Sequence, residues 1–160
     1  AVLQMFSHGI MTALFFALVG SVYDQAHTRD IDVFEGLAKR MGRTTIFFTV
    51  AGLTSLGLPG LSGFVAEFLI FVGAFQTYPV LAILGVAGAA ITAVYILRLL
   101  GKVFFGPLDP RWDKLRDATH IETVGMAVLV FVIVFVGVFP TPFMKIIDGG
   151  VLTLMNRLPG

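Results

Sequence analysis

Apolar and polar residues are segregated along this chain in blocks about as long as a membrane crossing. Apolar stretches cover about residues 2–22, 44–76, 80–100 and 121–139, separated by the loop YDQAHTRDIDVFEGLAKRMGR, the turn TYP and the loop GKVFFGPLDPRWDKLRDATH. A helix rises 1.5 Å per residue, so about 20 apolar residues cross a hydrocarbon core of roughly 30 Å. The pattern predicts an all-α polytopic transmembrane helix bundle of about four spans. The second stretch is too long for one of them: as one straight helix residues 44–76 would reach about 50 Å. Gly57, Pro59, Gly60 and Gly63 sit near its middle, so it is expected to be two half-helices joined around 57–63, because proline removes a backbone donor and clashes with the preceding turn. Backbone groups freed at such a break must be buried in protein or face a wet cavity, since lipid cannot satisfy them. Gly36 and Gly42 are expected to punctuate turns in the first loop. The small residues of GVAGAA, 85–90, offer a surface for close helix approach.

Composition sharpens the membrane reading. The chain is 57% hydrophobic and only 13% charged, with a mean hydropathy of +0.93, whereas soluble domains carry roughly a quarter charged residues. There is no cysteine, which excludes disulfides, thiolate metal sites and cysteine-ligated clusters. The net charge of +1, with no basic amphipathic face, gives no reason to expect nucleic acid. Nine of the eleven Lys and Arg lie in two places: Arg29, Lys39, Arg40 and Arg43, and then Arg98, Lys102, Arg111, Lys114 and Arg116. By the positive-inside rule both long loops are expected in the cytoplasm, or its organellar equivalent, and the C-terminus outside. Residues 143–158 alternate at near-helical spacing and read as an interfacial tail. The opening AVLQMFSHGIMTALFFALVGSVY has no basic n-region or small-residue cleavage pattern, so it reads as the inside of a transmembrane helix, not a signal peptide, and the chain as a C-terminal piece of something longer.

Within this apolar frame, one acid lies well inside a span: Glu67, just beyond the break. A charge at the centre of a membrane helix costs about 2.5–3.5 kcal/mol on insertion scales, so such groups face a bundle interior or wet cavity and mark ion or proton paths. The competing role is hydrogen bonding to the broken backbone. His8, flanked by Ser7, Gly9 and Thr12, can serve as a proton relay or bond across helices, and the residues leave both open. His27 and His120 fall in loops, where an ordering or solvated role fits better. Tyr95 and Arg98 read as residues that meet a neighbour or a lipid head group, with Arg98 snorkelling. The histidines lack metal-ligand spacing such as H-E-x-x-H, and the glycines at 57, 60 and 63 do not form G-x-G-x-x-G, so neither a metal nor a phosphate site is expected.

SHGIMTALFFALVGSVYDQAHTRD, LGLPGLSGFVAEFLIFVGAFQTYPV, YILRLLGKVFFG and the V-x-V-G-V-F-P-T-P end of the last span together resemble the C-terminal part of the proton-translocating membrane subunit M (chain 4) family of NADH:quinone oxidoreductase, respiratory complex I. The resemblance implies a parent of fourteen helices with two inverted repeats, of which residues 1–160 would be the last four, starting within the eleventh. It implies proton transfer through Glu67 and His8, and sister antiporter-like subunits as partners in an energy-transducing membrane such as the bacterial inner membrane. Flavin, iron–sulfur clusters, NADH and quinone would belong to other subunits, leaving this chain without cofactor or redox chemistry of its own. Relatives in the wider family typically carry lysine where this chain has Glu67. Two alternatives stand beside this: a subunit of a Mrp-type sodium/proton antiporter or of a ferredoxin- or hydrogenase-linked complex, and a membrane scaffold without transport.

Overall fold

The computed structural model describes residues 1–157, and all regular structure among them is helical. Six helices follow in order: α1 (Val2–Ala26), α2 (Gly42–Ser55), α3 (Ser62–Thr77), α4 (Pro79–Phe104), α5 (His120–Val138) and α6 (Thr141–Met155). Three of them, α1, α4 and α5, are each long and apolar enough to cross a membrane. Neither α2 nor α3 reaches across alone. They divide the long second apolar stretch between them, and the interruption falls at residues 56–61.

Helix α1 forms the middle of the bundle, in contact with α2, α3, α5 and α6. Its buried residues, Leu3, Ser7, Met11, Leu14, Leu18, Ser21 and Val22, recur every three or four positions, which is one stripe of a helix. Leu14 and Leu18 enter the main core with Phe48 of α2, Leu100 and Phe104 of α4, and Ile133 of α5. Phe48 joins Phe15 and Phe104 in a run of tilted and edge-on rings with centroids 5.2 and 4.8 Å apart.

Helices in lipid gain little from hiding apolar surface from one another, so close backbone approach matters more. The residues that permit it here lie mostly outside GVAGAA. A Cβ on Gly63 would collide with the Thr54 carbonyl oxygen, and one on Gly137 of α5 with the Gly60 carbonyl oxygen. Within GVAGAA, Gly85 admits the Phe71 ring, but Gly88 has open space around it.

The two long loops dock on each other at one end of the bundle. Gln25 donates through Nε2 to the Arg116 carbonyl (2.9 Å) and accepts from the Arg116 N–H through Oε1 (2.7 Å). Trp112 donates from its indole to the Val33 carbonyl (2.8 Å) and tilts against Phe34. Arg40 is paired with Asp113. This joins the two loops at one end of the bundle. Gly42 differs from its expected role: it opens α2 instead of turning the loop. Asp117, from the far loop, caps that helix end. It accepts from the Arg43 N–H (2.7 Å), the Thr44 N–H (3.1 Å), the Thr44 hydroxyl (3.0 Å) and the Ala118 N–H (2.8 Å). Partial burial pushes the Asp117 carboxyl up, but those donors outweigh it and hold the group below the usual carboxylate range.

His27 caps α1 in the left-handed conformation (φ 54°), its N–H bonding to the Tyr23 carbonyl at 2.8 Å. His120 is helical, the first residue of α5, and not a loop residue. Of the tail, α6 lays Phe143, Met144 and Ile147 on the body and leaves Ile146, Leu152, Leu154 and Met155 exposed. Leu158, the last residue of the expected tail, lies outside the described residues.

Candidate functional site

The site is built on the break between α2 and α3. Glycine, not proline, ends α2: Gly57 adopts φ 68°, Leu58 N–H bonds back to the Leu53 carbonyl at 3.0 Å and Gly57 N–H to the Thr54 carbonyl at 3.1 Å. These are the paired bonds of a Schellman motif, with a left-handed residue just past the helix end. Pro59 follows in the connection, where it prevents the helix from resuming. Gly60 also has a positive φ, 94°. Gly63 does not belong to the break as the sequence suggests. It is the second residue of α3, and it is small because the α2 backbone crosses there.

Glu67 lies in the second turn of α3, half-buried, and its carboxylate folds back over the break. A Cβ added to Gly57 would stand 2.7 Å from Glu67 Oε2. The carboxylate thus occupies the space that a side chain at 57 would fill. It faces a cavity of about 220 Å³ lined by Gln4, Ser7, His8 and Met11 of α1, Thr54 and Ser55 of α2, Gly63 and Glu67 of α3, and Ala89, Thr92 and Tyr95 of α4. A cavity of this size with several polar partners can hold water.

His8 and Glu67 are therefore brought to one cavity, His8 on its exposed flank. Ser7, one residue away, turns inward and shares a buried hydrogen bond with Ser62 (Oγ to Oγ 2.7 Å), which ties α1 to the first turn of α3. Two residues on the cavity wall were not expected there. Tyr95, read from the sequence as facing a neighbour or lipid, contributes to the wall from α4 with Thr92, while Arg98 is exposed one turn further on. Gln4 was not singled out at all, and it lines the cavity from the first turn of α1, opposite Glu67's helix. Its spacing of four residues from His8, with Ser7 between, was the available signal for one helix face.

The ion pairs found among the described residues, Arg40–Asp113, Lys102–Asp32 and Arg111–Asp109, belong to the loop-bearing end. None involves Glu67, which shares its cavity with an amide, hydroxyls and an imidazole.

Residues 1–92 match the transmembrane family described as NADH:quinone oxidoreductase/Mrp antiporter. The chain is 34% identical over 98% of its length to NADH-quinone oxidoreductase subunit M of Rickettsia prowazekii, covering 32% of that protein. It is 38% identical over 92% of its length to NAD(P)H-quinone oxidoreductase chain 4 of Acaryochloris marina, covering 30% of it. The chain thus spans about a third of the length of the curated relatives it matches. Among solved structures, a chain of respiratory complex I from Thermus thermophilus superposes with a TM-score of 0.70 and 31% identity over 77% of this chain and 26% of the other. A chain of the Mrp complex from Dietzia superposes at 0.76 with 16% identity, over 87% of this chain and 34% of the other, a likeness of fold alone. With a family match over more than half its residues and subunit-M and chain-4 relatives along nearly all of its length, this integral membrane chain belongs to the NADH:quinone oxidoreductase/Mrp antiporter transmembrane family.

Proposed function

We propose that this chain is the C-terminal part of a proton-pumping membrane subunit of a complex-I-type NADH:quinone oxidoreductase, and that Glu67 is its distal proton-transfer group, with His8 as a relay. The observation that carries the reading is the placement of the Glu67 carboxylate against Gly57, where the helix is interrupted and a polar cavity opens. A charge-bearing group inside a membrane segment is costly, and a wet cavity beside an interrupted helix is where such a group can exchange protons. Uptake of a proton requires a carboxyl that is reachable by water and not locked by a cation. Glu67 meets both requirements among the described residues. Electron transfer, with its flavin, clusters, NADH and quinone, takes place in other subunits, and sister antiporter-like subunits flank this one. The loop-bearing end faces the cytoplasm, and α2 with α3 forms the fourth crossing.

The test is made in the full assembled complex. Glu67→Gln keeps the volume and much of the hydrogen bonding but cannot titrate, so proton uptake into vesicles and NADH-driven quinone reduction should both nearly vanish while the complex still assembles. Glu67→Lys can still hold and release a proton, and should keep much more activity than Gln. A Gln variant that pumps as well as wild type overturns the reading. The matching family model, whose description includes Mrp antiporters, supports a second reading, a subunit of a sodium/proton antiporter. It predicts sodium-driven proton movement in vesicles lacking any electron donor.

A further inference from the structure

The cavity contains one loose end. Gln4 Oε1 is buried and has no hydrogen-bond partner among the described residues, and its side chain lines the same cavity as Glu67. A buried acceptor left unmade is costly, on the order of 1–3 kcal/mol, and the adjoining polar groups of the cavity make an apolar explanation poor. A side-chain amide has a feature that a hydroxyl or imidazole at this place would not share in the same geometry: it carries two N–H donors and a carbonyl acceptor on one rigid plane.

We infer that Gln4 is a positioning residue that holds the Glu67 carboxyl in both of its protonation states. With Glu67 ionised, Gln4 Nε2–H donates to a carboxylate oxygen. When Glu67 takes up a proton, the carboxyl becomes a donor, and its O–H turns to Gln4 Oε1, the acceptor that lacks a partner. One proton is bound at Glu67 and leaves from it; Gln4 gains and loses none. The side chain thereby keeps the carboxyl over Gly57 through the cycle, instead of letting it swing with its charge. The other titratable groups on the cavity wall are His8 from α1 and Tyr95 from α4, while α2 contributes only Thr54 and Ser55. None of these needs to move for the exchange of partners. This inference deepens the proposed role of Glu67 and rests on it.

The experiment uses the complete complex with Gln4→Leu, which keeps the approximate shape and removes both functions, and Gln4→Asn, which keeps the amide on a shorter stem. Infrared difference spectra between acidic and alkaline samples report the C=O stretch of the protonated carboxyl, assigned to Glu67 by its absence in Glu67→Gln. Losing an acceptor for the carboxyl O–H moves that band to higher wavenumber. The expected result is an upward shift in Gln4→Leu with a drop in proton-coupled quinone reduction of about tenfold, the size of one lost hydrogen bond to a charged group, and recovery of band and rate towards wild type in Gln4→Asn. A band unmoved in Gln4→Leu overturns the inference whatever happens to the rate, and so does equal damage by Leu and Asn, which would leave Gln4 a packing residue. Normal pumping by Glu67→Gln instead removes the proposed function beneath it, and this inference with it.

Discussion

Replacing Gly57 by alanine separates two consequences that the structure ties to one residue. The first is conformational. An L-residue held at φ 68° costs about 1–2 kcal/mol relative to glycine, and the Schellman bonds that end α2 depend on that conformation. The second is positional. The new methyl carbon would lie 2.7 Å from Glu67 Oε2, and ordinary contact begins near 3.5 Å, so the carboxylate has to withdraw by about 1 Å. It is the free end of a flexible side chain, and the withdrawal itself is cheap. Its effect on proton transfer is not: a misplacement of about 1 Å at a reacting group can cost up to a hundredfold.

Gly60→Ala supplies the control. Gly60 has φ 94°, and nothing lies within 4 Å of a Cβ built there, so alanine at 60 incurs a conformational cost of the same kind without touching Glu67. Both variants should lower the amount of assembled complex, as measured on native gels. Only Gly57→Ala should lower proton uptake and quinone reduction per assembled complex, by tenfold or more. Equal per-complex rates in the two variants would refute the idea that the glycine at 57 is there to make room for the carboxylate.

Three further expectations concern the frame around the site. Asp117→Asn should weaken the cap on α2 by about 1 kcal/mol at neutral pH, read as faster hydrogen exchange at the Arg43 and Thr44 amides. Because the folded-state carboxyl lies below its unfolded value, Asp117's contribution is fully present above about pH 4 and lost as pH falls through the folded value, so the variant should show a flatter acid limb of stability. Gly63→Ala forces a methyl carbon onto the Thr54 carbonyl oxygen, backbone against backbone, and should cost more than about 2 kcal/mol and abolish assembly; Gly73→Ala in the same helix, with nothing within 4 Å of its Cβ, should assemble normally. Single cysteines at Glu35 and Lys114, both exposed, should be labelled from the cytoplasmic face and one at Asn156 from the opposite face; labelling of 35 and 156 from the same side would refute the topology.

The three long apolar helices, α1, α4 and α5, were legible in the sequence because their blocks of apolar residues are long and local. The position of the break was legible for the same reason: Gly57, Pro59 and Gly60 cluster within four residues of chain. Its mechanism was not, since proline and glycine both interrupt helices and only the backbone reveals that the left-handed turn at Gly57 does so first. Gly63 was grouped with the break by proximity, although its smallness answers to Thr54 across the gap. Glu67 and His8 stood out because polar residues are scarce in such segments, but Tyr95 and Gln4 did not. Placing Tyr95, which is more than half exposed, on the cavity wall requires knowing that α4 packs beside α3. The Asp117 cap on Thr44 joins residues 73 apart in sequence, and no local pattern announces such a pair.

The break is held from several directions, and this bears on how Glu67 can function. Asp117 fixes the loop-side end of α2, and the Schellman bonds fix its other end. The Ser7–Ser62 hydrogen bond at 2.7 Å and the close crossing of Gly63 over Thr54 set where α3 begins. Gly137 of α5 lies against the Gly60 carbonyl and closes the third side. Apart from the Asp117 carboxylate these are backbone or small-residue contacts, and none uses the Glu67 carboxylate. Its location follows from the frame, so a change in its charge does not have to rearrange the helices. An arginine or lysine at the cavity would have secured the carboxylate more strongly, at the expense of holding it ionised. Amide, hydroxyl and imidazole groups line the cavity instead, which suits the proposed role, because a proton-transfer group has to be free to release and rebind its proton.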